Sequence, residues 1–305
     1  MKKSLYINYL DYSLGDTCHD VDTLASEGLT SSSAEFLRSV GFERVYSYNE
    51  PSNIFDSTLR LMIAGSKTVC PTDVYFYSGI DQDNSNEDLF GKFTYDSSRL
   101  MHESGMNGVR QMALHQSGCS GPFEMIRLAL NSTSDNSRVM CVLSDMIPTG
   151  EGREVQYNLM SDSVSVIGFA DDGWLRVVDV HTVYAQQFWN TSEGIEKITA
   201  SYFTFAVRCL SELLDRNAMT ADDINLVIPH NVSLRSWQIL CELTGITIEK
   251  VYTDNIKRLG HTVSSDLVIN LVDAKKAGRL QTGMKIMAFT YGFGSSWSAT
   301  LLEVV

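Results

Sequence analysis

Several features that mark other protein classes are scarce or missing in this chain of 305 residues. It contains only five prolines, and no low-complexity segment divides it into separately tethered domains. No apolar run approaches the roughly 18–20 residues that a membrane-spanning helix needs. The lysines of the N-terminal MKKSLYINYLDYS are not followed by the apolar stretch of a secretory signal. The sequence therefore predicts a soluble, cytoplasmic protein without a membrane segment.

Cysteine is present, but not in a pattern typical of metal sites or of disulfide-rich proteins. The six cysteines are scattered along the chain, and no C-x-x-C pair occurs. Cys18 and His19 are adjacent, but nothing near them completes a set of zinc ligands. In a long chain without a secretory signal, scattered thiols are usually reduced. We therefore expect free cysteines and no metal.

Basic residues are also in short supply. The chain has 24 lysines and arginines against 37 acidic residues, which gives a net charge of −13. A general nucleic-acid-binding protein needs a basic surface, so this composition argues against that function class. The C-terminal third nevertheless contains Arg235, Lys257 and Arg258. These residues form either a local patch for an acidic partner or an ordinary solvated surface.

Apolar segments and helix-capping residues indicate an α/β fold. Runs rich in Val, Ile, Tyr and Phe predict strands at 73–79, 138–146, 163–170, 175–184, 224–229, 285–291 and 299–305. Helical patterns predict helices at 54–64, 121–131, 195–217, 233–244 and 264–277. Alternation of strands and helices is typical of layered α/β proteins. Each half of the chain has a similar order of helix, strand, loop and buried helix, which predicts two duplicated halves, residues 1–160 and 161–305.

Cys119 differs from the other cysteines in its surroundings. It lies in HQSGCSGPF, directly before the helical run EMIRLALNS. Free backbone N–H groups and the dipole at the start of a helix favour a thiolate. The small neighbours permit a sharp turn and close approach by a substrate carbonyl, and the Cys119 N–H can donate to an oxyanion. This pattern favours a nucleophile, and a structural cysteine is the alternative.

Two histidines and a glycine-rich turn are further candidates. His230 follows the predicted strand INLVIP and precedes a helical run that Ser233 is placed to cap. The carboxyl end of a strand is where α/β proteins commonly place their chemistry. His261 lies in LGHTVSSD before an apolar helix, and Tyr291–Trp297 (YGFGSSW) is a turn whose backbone N–H groups can face a pocket. Structural histidines and an ordinary hairpin are the alternative interpretations.

Together these segments resemble the thiolase-fold condensing enzymes, most closely the beta-ketoacyl-acyl carrier protein synthase III family. LVIPHNVSLR at 226–235 is similar to that family's LVIPHQANLR segment, and GHTVSS at 260–265 lies where the family has a GNTSS-type loop. Gly292–Trp297 resembles its GGGFTW turn, and Cys119 opens a helix as the family's nucleophile does. The resemblance implies a thiolase-like αβαβα five-layer fold of two duplicated halves, usually dimeric.

The resemblance also implies a reaction in two steps. Cys119 takes an acyl group from a thioester, with the N–H groups of Cys119 and Phe293 as oxyanion donors. His230 and His261 then stabilise the enolate that forms when a malonyl thioester loses carbon dioxide, and the enolate carbon attacks the acyl group. The oxyanion and gating turn consists of Gly292, Phe293 and Gly294. No cofactor is expected beyond the thioester substrates.

The chain departs from the synthase III pattern at several positions. His261 replaces the family's third catalytic residue, an asparagine, which gives the Cys-His-His set of the elongating ketosynthases. Ser233 replaces the asparagine of PHQAN, and the tryptophan that stacks on coenzyme A aligns near Phe36. We therefore expect acyl carrier protein, rather than coenzyme A, to present the acyl group. The predicted docking residues are Arg235, Lys257 and Arg258.

The predicted function is decarboxylative condensation in a specialised fatty acid or polyketide pathway. The alternative keeps the acyl-Cys119 intermediate and passes the acyl group to an alcohol or amine without decarboxylation. A third interpretation is an inactive partner subunit. The expected partners are acyl carrier protein and a second chain, identical or related, in a dimer.

Overall fold

The computed structural model describes residues 4–80, 96–115, 117–131, 137–148, 150–155, 158–188, 191–293 and 296–305. Its strands are β1 (Leu5–Leu14), β2 (Thr17–Asp20), β3 (Arg44–Ser47), β4 (Asp73–Tyr77), β5 (Arg110–Leu114), β6 (Val139–Asp145), β7 (Glu154–Val155), β8 (Asn158–Leu159), β9 (Ser163–Ala170), β10 (Leu175–Tyr184), β11 (Leu226–Ile228), β12 (Lys285–Gly292) and β13 (Ser296–Val304). Its helices are α1 (Val21–Ser26), α2 (Ala34–Ser39), α3 (Pro51–Val69), α4 (Asp96–Glu103), α5 (Gly121–Leu130), α6 (Thr191–Arg216), α7 (Leu234–Thr244), α8 (Asp254–Leu259) and α9 (Asp266–Lys276).

The elements predicted from apolar patterns are confirmed, with shifted ends. They correspond to β4, β6, β9 to β13 and to α3, α5, α6, α7 and α9. Ser233 caps α7 as predicted, because its side chain accepts a hydrogen bond from the Ser236 N–H. The central strand β1 is not among the predicted strands, since Asn8, Asp11 and Ser13 interrupt its apolar residues. Its place in the fold comes from pairing on both sides rather than from its own pattern.

The main sheet repeats one strand arrangement. Its order is β11-β12-β13-β10-β1-β9-β6-β4-β5. In the first set, β4 is parallel to β5 and β6, and β9 is antiparallel to β6 and β1. In the second set, β11 is parallel to β12, and β13 is antiparallel to β12 and β10. Val251 bridges Val227 in parallel at the outer edge, where β5 lies in the first set.

The two sets of strands therefore have the same order and the same directions. The antiparallel pair β1 and β10 joins them into one continuous sheet. By strand pairing, the first set ends at Ala170 and the second begins at Leu175. The division into domains near residue 160 stays a prediction.

Helices α5 and α9 form a middle layer between the two sets of strands. Helix α5 contacts β4 and β6 of the first set and β10 and β13 of the second. Helix α9 contacts β1 and β9 of the first set and β11 of the second. Helix α3 packs on the first set and α6 on the second, which adds the outer layers. The predicted αβαβα fold is thus confirmed.

The middle layer explains why the first turns of α9 are buried on all sides. Four apolar side chains point to different sides of the helix, and all four are buried: Leu267, Val268, Ile269 and Leu271. Apolar side chains on every side of a helical turn are stable only inside a core, and the polar Asn270 among them is hydrogen-bonded to the His230 loop. Among the described helices, none combines the length and apolar character needed to cross a membrane.

We expect Leu271→Ala to lower the free energy of unfolding by about 2–5 kcal/mol, because it removes buried methyl groups and leaves a cavity in the middle layer. Urea denaturation followed by circular dichroism measures the change. The matched control is Leu243→Ala, whose side chain is 54% exposed. This control should stay within about 0.5 kcal/mol of the wild type. Equal effects of the two variants would contradict the buried position of α9.

Candidate active site

Two glycines pack the turn that carries Cys119 against the end of β12. Cys119 lies in a short 3-10 helix, Gly118–Ser120, directly before α5. The φ angle of Gly118 is +50°, and a Cβ there would lie 2.6 Å from the backbone nitrogen of Phe293. A Cβ on Gly292 would lie 2.2 Å from the carbonyl oxygen of Ser117. Only glycine at both positions permits this approach of the two backbones.

Further hydrogen bonds fix the Cys119 turn. The Thr290 hydroxyl donates to the Cys119 carbonyl oxygen at 3.3 Å. The Ser120 and Ser296 hydroxyls are 2.7 Å apart and link the turn to β13. The Tyr77 hydroxyl donates to the Gly118 carbonyl oxygen. The thiol therefore has a defined position where α5 begins.

The loop that carries His230 is anchored on both sides of the histidine. The His230 carbonyl oxygen accepts a hydrogen bond from Trp237 Nε1 at 2.8 Å. The side-chain amide of Asn270, on α9, donates to the Pro229 carbonyl oxygen and to Asn231 Oδ1, each at 2.9 Å. The middle-layer helix thus holds the residues before and after His230.

His261 is held by a short parallel bridge to the segment after β8. The His261 N–H donates to the Leu159 carbonyl oxygen, and the Ser161 N–H donates to the His261 carbonyl oxygen, both at 2.8 Å. Gly260 has a φ angle of +64°, and a Cβ there would lie 2.3 Å from the Leu159 oxygen. Glycine before the histidine is therefore required by both the backbone angle and the close contact.

The residue two positions after His261 has a strained backbone. The φ angle of Val263 is +53°, which β-branched residues rarely adopt. Asp145, fully buried at the end of β6, accepts hydrogen bonds from the Ser264 N–H at 3.0 Å and from the Ser264 hydroxyl. It also accepts the Gly79 N–H at 2.6 Å. Burial raises the pKa of Asp145, although these donors oppose the shift.

The structure brings the three predicted catalytic residues together. Cys119 Sγ lies 3.1 Å from His261 Nε2, and His261 Nε2 lies 3.3 Å from His230 Nε2. The two imidazole rings are nearly perpendicular, at 82°. All three side chains are buried. Their convergence, predicted from separate segments, is a property of the fold.

Asp266, the first residue of α9, is a fourth member of the cluster that the sequence analysis missed. Its carboxylate contacts His261 Nδ1 at 2.7 Å. The same carboxylate accepts the N–H groups of Thr262 and Asn231, each at 2.8 Å, and the Thr262 hydroxyl at 2.7 Å. The available signal was an acidic residue, five positions after His261, directly before the apolar run of residues 267–269. A carboxylate is also favoured at a helix N-terminus.

The protonation states of the two histidines differ. Burial, together with the charge of His261, lowers the pKa of His230 to about 3, so this ring is neutral near pH 7. Burial also opposes charge on His261, but the neighbouring Asp266 and Cys119 outweigh it and raise the pKa of His261 well above its ordinary value. Burial opposes the charge of Asp266, and the positive His261 nevertheless lowers the pKa of this carboxyl. The Asp266 carboxylate thus favours the protonated form of the His261 ring.

A cavity of about 470 Å³ ends at this cluster. Cys119, His230 and His261 all contribute to its wall. Its volume lies within the range of about 300–1,000 Å³ that is typical of small-molecule sites. The apolar residues of its wall are Phe36, Val40, Ile198, Tyr202, Phe203, Val232, Ile239, Tyr291 and Phe293.

The glycine-rich turn lies partly within the described structure. Gly292 ends β12 beside the Cys119 turn. Phe293 lines the cavity, with its ring centroid 5.8 Å from that of Tyr291. Gly294 lies outside the described residues. The oxyanion and gating roles of these three residues stay predictions.

The predicted docking residues do not form one cluster at the cavity. Arg235, exposed on α7, is part of the cavity wall. Lys257, on α8, pairs with Glu43 at 2.9 Å. Arg258 contacts Asn255 and Asp273 instead of lining this cavity. A docking role for these three residues stays a prediction, with Arg235 at the suitable place.

Comparison with known sequences gives a partial match. Residues 214–304 match the family described as 3-oxoacyl-[acyl-carrier-protein] synthase III C terminal. Over 105 residues, the chain is 36% identical to a beta-ketoacyl-[acyl-carrier-protein] synthase III of Nitratidesulfovibrio vulgaris strain DP4. This alignment covers 33% of the chain and 32% of the relative. The matched part thus spans about a third of the length of such curated relatives.

Comparison with solved structures covers nearly the whole chain. ChlB3, an acyltransferase, superposes with a TM-score of 0.83 at 17% identity, covering 99% of this chain and 98% of its own. The 3-oxoacyl-[acyl-carrier-protein] synthase III of Aquifex aeolicus VF5 superposes with a TM-score of 0.79 at 17% identity, covering 98% of this chain and 99% of its own. The whole chain thus has the thiolase-like fold, and its residues 214–304 are similar to the synthase III C-terminal family.

The sequence comparison covers only part of the candidate site. His230, His261 and Asp266 lie within the region that matches the family. Cys119 lies outside that region, so its assignment depends on the geometry. The contact of 3.1 Å between its Sγ and His261 Nε2 joins the two parts.

We expect His230→Asn to make stability less sensitive to acid. The pKa of His230 is about 3 in the folded protein and 6.5 ordinarily. Between these values the unfolded chain binds a proton that the folded chain does not, so the free energy of unfolding falls as the pH falls. Without the imidazole, this fall should be smaller between about pH 6.5 and pH 4. Urea denaturation at a series of pH values measures it.

The control for this experiment is His102→Asn, because His102 lies on the exposed side of α4. It should keep the wild-type dependence on pH. If His230→Asn loses stability with acid as steeply as the wild type, His230 does not enter the folded state as a neutral ring.

Proposed function

We propose that this protein is an acyl-transferring condensing enzyme that forms an acyl thioester on Cys119 and extends it by decarboxylative Claisen condensation with a malonyl-type thioester. The observation that carries the proposal is the buried cluster of Cys119, His230 and His261 at the end of an apolar cavity. The similarity of residues 214–304 to synthase III supports it.

In the first step, the Cys119 sulfur attacks the carbonyl carbon of a donor thioester. A new sulfur–carbon bond forms, and the bond from that carbon to the donor sulfur breaks. The N–H groups of Cys119 and Phe293 are proposed to hold the oxyanion, as donors aimed at developing negative charge. The close approach of Gly118 to the Phe293 backbone supports this pairing. The apolar cavity wall accommodates the acyl chain or the arm that carries it.

In the second step, a malonyl thioester loses carbon dioxide, and the enolate carbon attacks the acyl-Cys119 carbonyl. The enolate oxygen needs hydrogen-bond donors in a site of low polarity. His261, as a cationic ring, donates from Nε2, and neutral His230 donates from Nε2 in one of its tautomers. Because these two atoms are 3.3 Å apart, a single oxygen can accept from both.

The alternative function, acyl transfer to an alcohol or amine, is favoured by one specific contact. Asp266 binds His261 Nδ1 at 2.7 Å, so the neutral ring presents the lone pair of Nε2 toward the cavity. A ring held in this way can remove a proton from an attacking hydroxyl or amine. An inactive partner subunit is disfavoured, because the nucleophile and both histidines are assembled.

Acyl carrier protein is the proposed donor and partner. Arg235 lies in the cavity wall and is exposed, which suits contact with an acidic carrier. We also propose a dimer with an identical or related chain, a cytoplasmic location and a role in a specialised fatty acid or polyketide pathway. These statements rest on the similarity to synthase III.

We predict that incubation with acyl-carrier-protein or acyl-coenzyme A donors adds one acyl group to the wild-type chain and none to Cys119→Ala. The thiol is the only proposed site of attachment, so its removal should abolish the adduct. Intact-mass measurement detects it. Cys70→Ala, which removes an exposed thiol, should keep the full adduct. An adduct of unchanged yield on Cys119→Ala would contradict the assignment of Cys119 as the nucleophile.

We predict that the wild type releases carbon dioxide from a malonyl thioester in step with product formation. Acyl transfer to an alcohol or amine would instead consume no malonyl substrate. His261→Asn restores the family's residue and keeps a donor for the enolate, but removes a base, which should slow acylation by about 100-fold or more. Product mass and carbon dioxide release measure both steps. Acylation and decarboxylation rates that are both unchanged would mean that the histidine is no specific adaptation.

A further inference from the structure

We propose that Asp266 is the positioning residue of a triad, Cys119–His261–Asp266, in which His261 takes up the proton of the Cys119 thiol. The inference rests on the proposed function, because it concerns how the same nucleophile is prepared. The family resemblance pairs His261 with His230 as a donor to the enolate. The contacts of His261 give it an earlier role at the thiol.

The two nitrogens of the His261 ring have different partners. Nε2 lies 3.1 Å from Cys119 Sγ, and Nδ1 lies 2.7 Å from Asp266 Oδ2. This order of nucleophile, imidazole and carboxylate is the general arrangement in which a base activates a nucleophile and a third group orients the base. Within the described residues, Cys119 Sγ has its hydrogen-bond contact with His261 rather than with His230.

The Asp266 carboxylate is built to remain charged while buried. It is only 4% exposed, yet three donors stabilise it: the Thr262 N–H, the Thr262 hydroxyl and the Asn231 N–H. Hydrogen bonds to the charged form of a carboxyl favour ionisation. These donors belong to the His261 and His230 loops, so the carboxylate also fixes the two loops relative to each other.

The other charged groups around His261 are compatible with this role. The titratable side chains that face it are Cys119 from the turn before α5, His230 from the loop after β11 and Asp266 from α9. Tyr291 of β12 lines the same cavity. Because His230 is neutral near pH 7, it does not repel a positive His261.

The proton balance of the triad is complete without any further reactant. The thiol proton moves from Cys119 Sγ to His261 Nε2, which leaves a thiolate and an imidazolium. The thiolate then forms a bond to the acyl carbon of the donor thioester, and the donor sulfur leaves. The leaving sulfur takes the proton from His261 Nε2. Because Asp266 holds Nδ1–H, Nε2 is the only nitrogen that exchanges this proton.

The contact with Asp266 also suits His261 to the condensation step. A neutral His261 with its proton on Nδ1 offers only a lone pair at Nε2. After the donor sulfur has left with the first proton, the ring takes up another proton from solvent at Nε2, which the nearby Asp266 favours, and this N–H can donate a hydrogen bond to the enolate oxygen. The asparagine that synthase III has at this position supplies a donor but no base. Asp266 thus explains how a histidine can replace it and add proton transfer to the thiol.

The test is the pH dependence of Cys119 alkylation by iodoacetamide in the full-length protein. Peptide mass spectrometry follows the modification of Cys119 alone. Asp266→Asn should move the midpoint of the rate profile to higher pH, and near pH 6 alkylation should slow by about tenfold or more, as a shift of one pKa unit gives. The matched control is Asp273→Asn, on the same helix, because Asp273 bonds Tyr12 and Arg258 and does not touch His261. It should leave the profile unchanged.

A wild-type profile in a folded Asp266→Asn protein would overturn the proposal, above all if His261→Asn shifts the profile. If Asp266→Asn does not fold, two further measurements decide. Asp266→Glu should restore the wild-type midpoint in part, and the ¹⁵N-labelled wild type should show a low-field proton on His261 Nδ1 that His261→Asn lacks. Absence of that resonance would contradict the Asp266 contact.

Alkylation requires no acyl donor, so its outcome is independent of the proposed reaction. If Asp266→Asn moves the midpoint of the alkylation profile to higher pH and the wild type forms no acyl adduct, the triad is supported and the condensing function is contradicted. If the wild type forms the acyl adduct but Asp266→Asn leaves the alkylation midpoint unchanged, the condensing function is supported and the triad is contradicted.

Discussion

The active-site cluster depends on one packing constraint, which is that the first turns of α5 and α9 border the same small cavity, through Pro122 and Leu267. Both helices contact strands of the two sets, so their first turns cannot separate without opening the core. Cys119 immediately precedes α5, and Asp266 is the first residue of α9. The contact between thiol and imidazole follows from this arrangement of two helix starts.

Buried charge is the second constraint, and it is resolved locally. An isolated charge in such a core is strongly unfavourable unless it is paired and hydrogen-bonded. The Asp266 carboxylate pairs with the His261 ring, and it accepts further hydrogen bonds from backbone N–H groups of the two histidine loops. His230 avoids the problem by staying neutral. One ring is therefore favoured in its charged form beside Asp266, while the other stays neutral.

The segments with strong local patterns could be predicted from the sequence. The buried strands and helices have continuous apolar runs and capping residues, and LVIPHNVSLR, GHTVSS and the turn at Gly292 carry a family resemblance. β1 could not be predicted in the same way, because its polar residues hide a strand that is stabilised by β9 and β10 on either side. Asp266 was missed because a single acidic residue at a helix start has many ordinary explanations.

The sequence by itself determined the α/β class, the duplicated layered fold and the three residues Cys119, His230 and His261. Only the tertiary structure decided which of them touch, and that Asp266 completes the set. It also placed Arg235 in the cavity wall, while Lys257 and Arg258 contact acidic residues elsewhere. The physical reason is that local patterns record burial and helix capping, whereas contacts between side chains of separate loops, such as Cys119 and His261, arise only when the core closes around the middle helices.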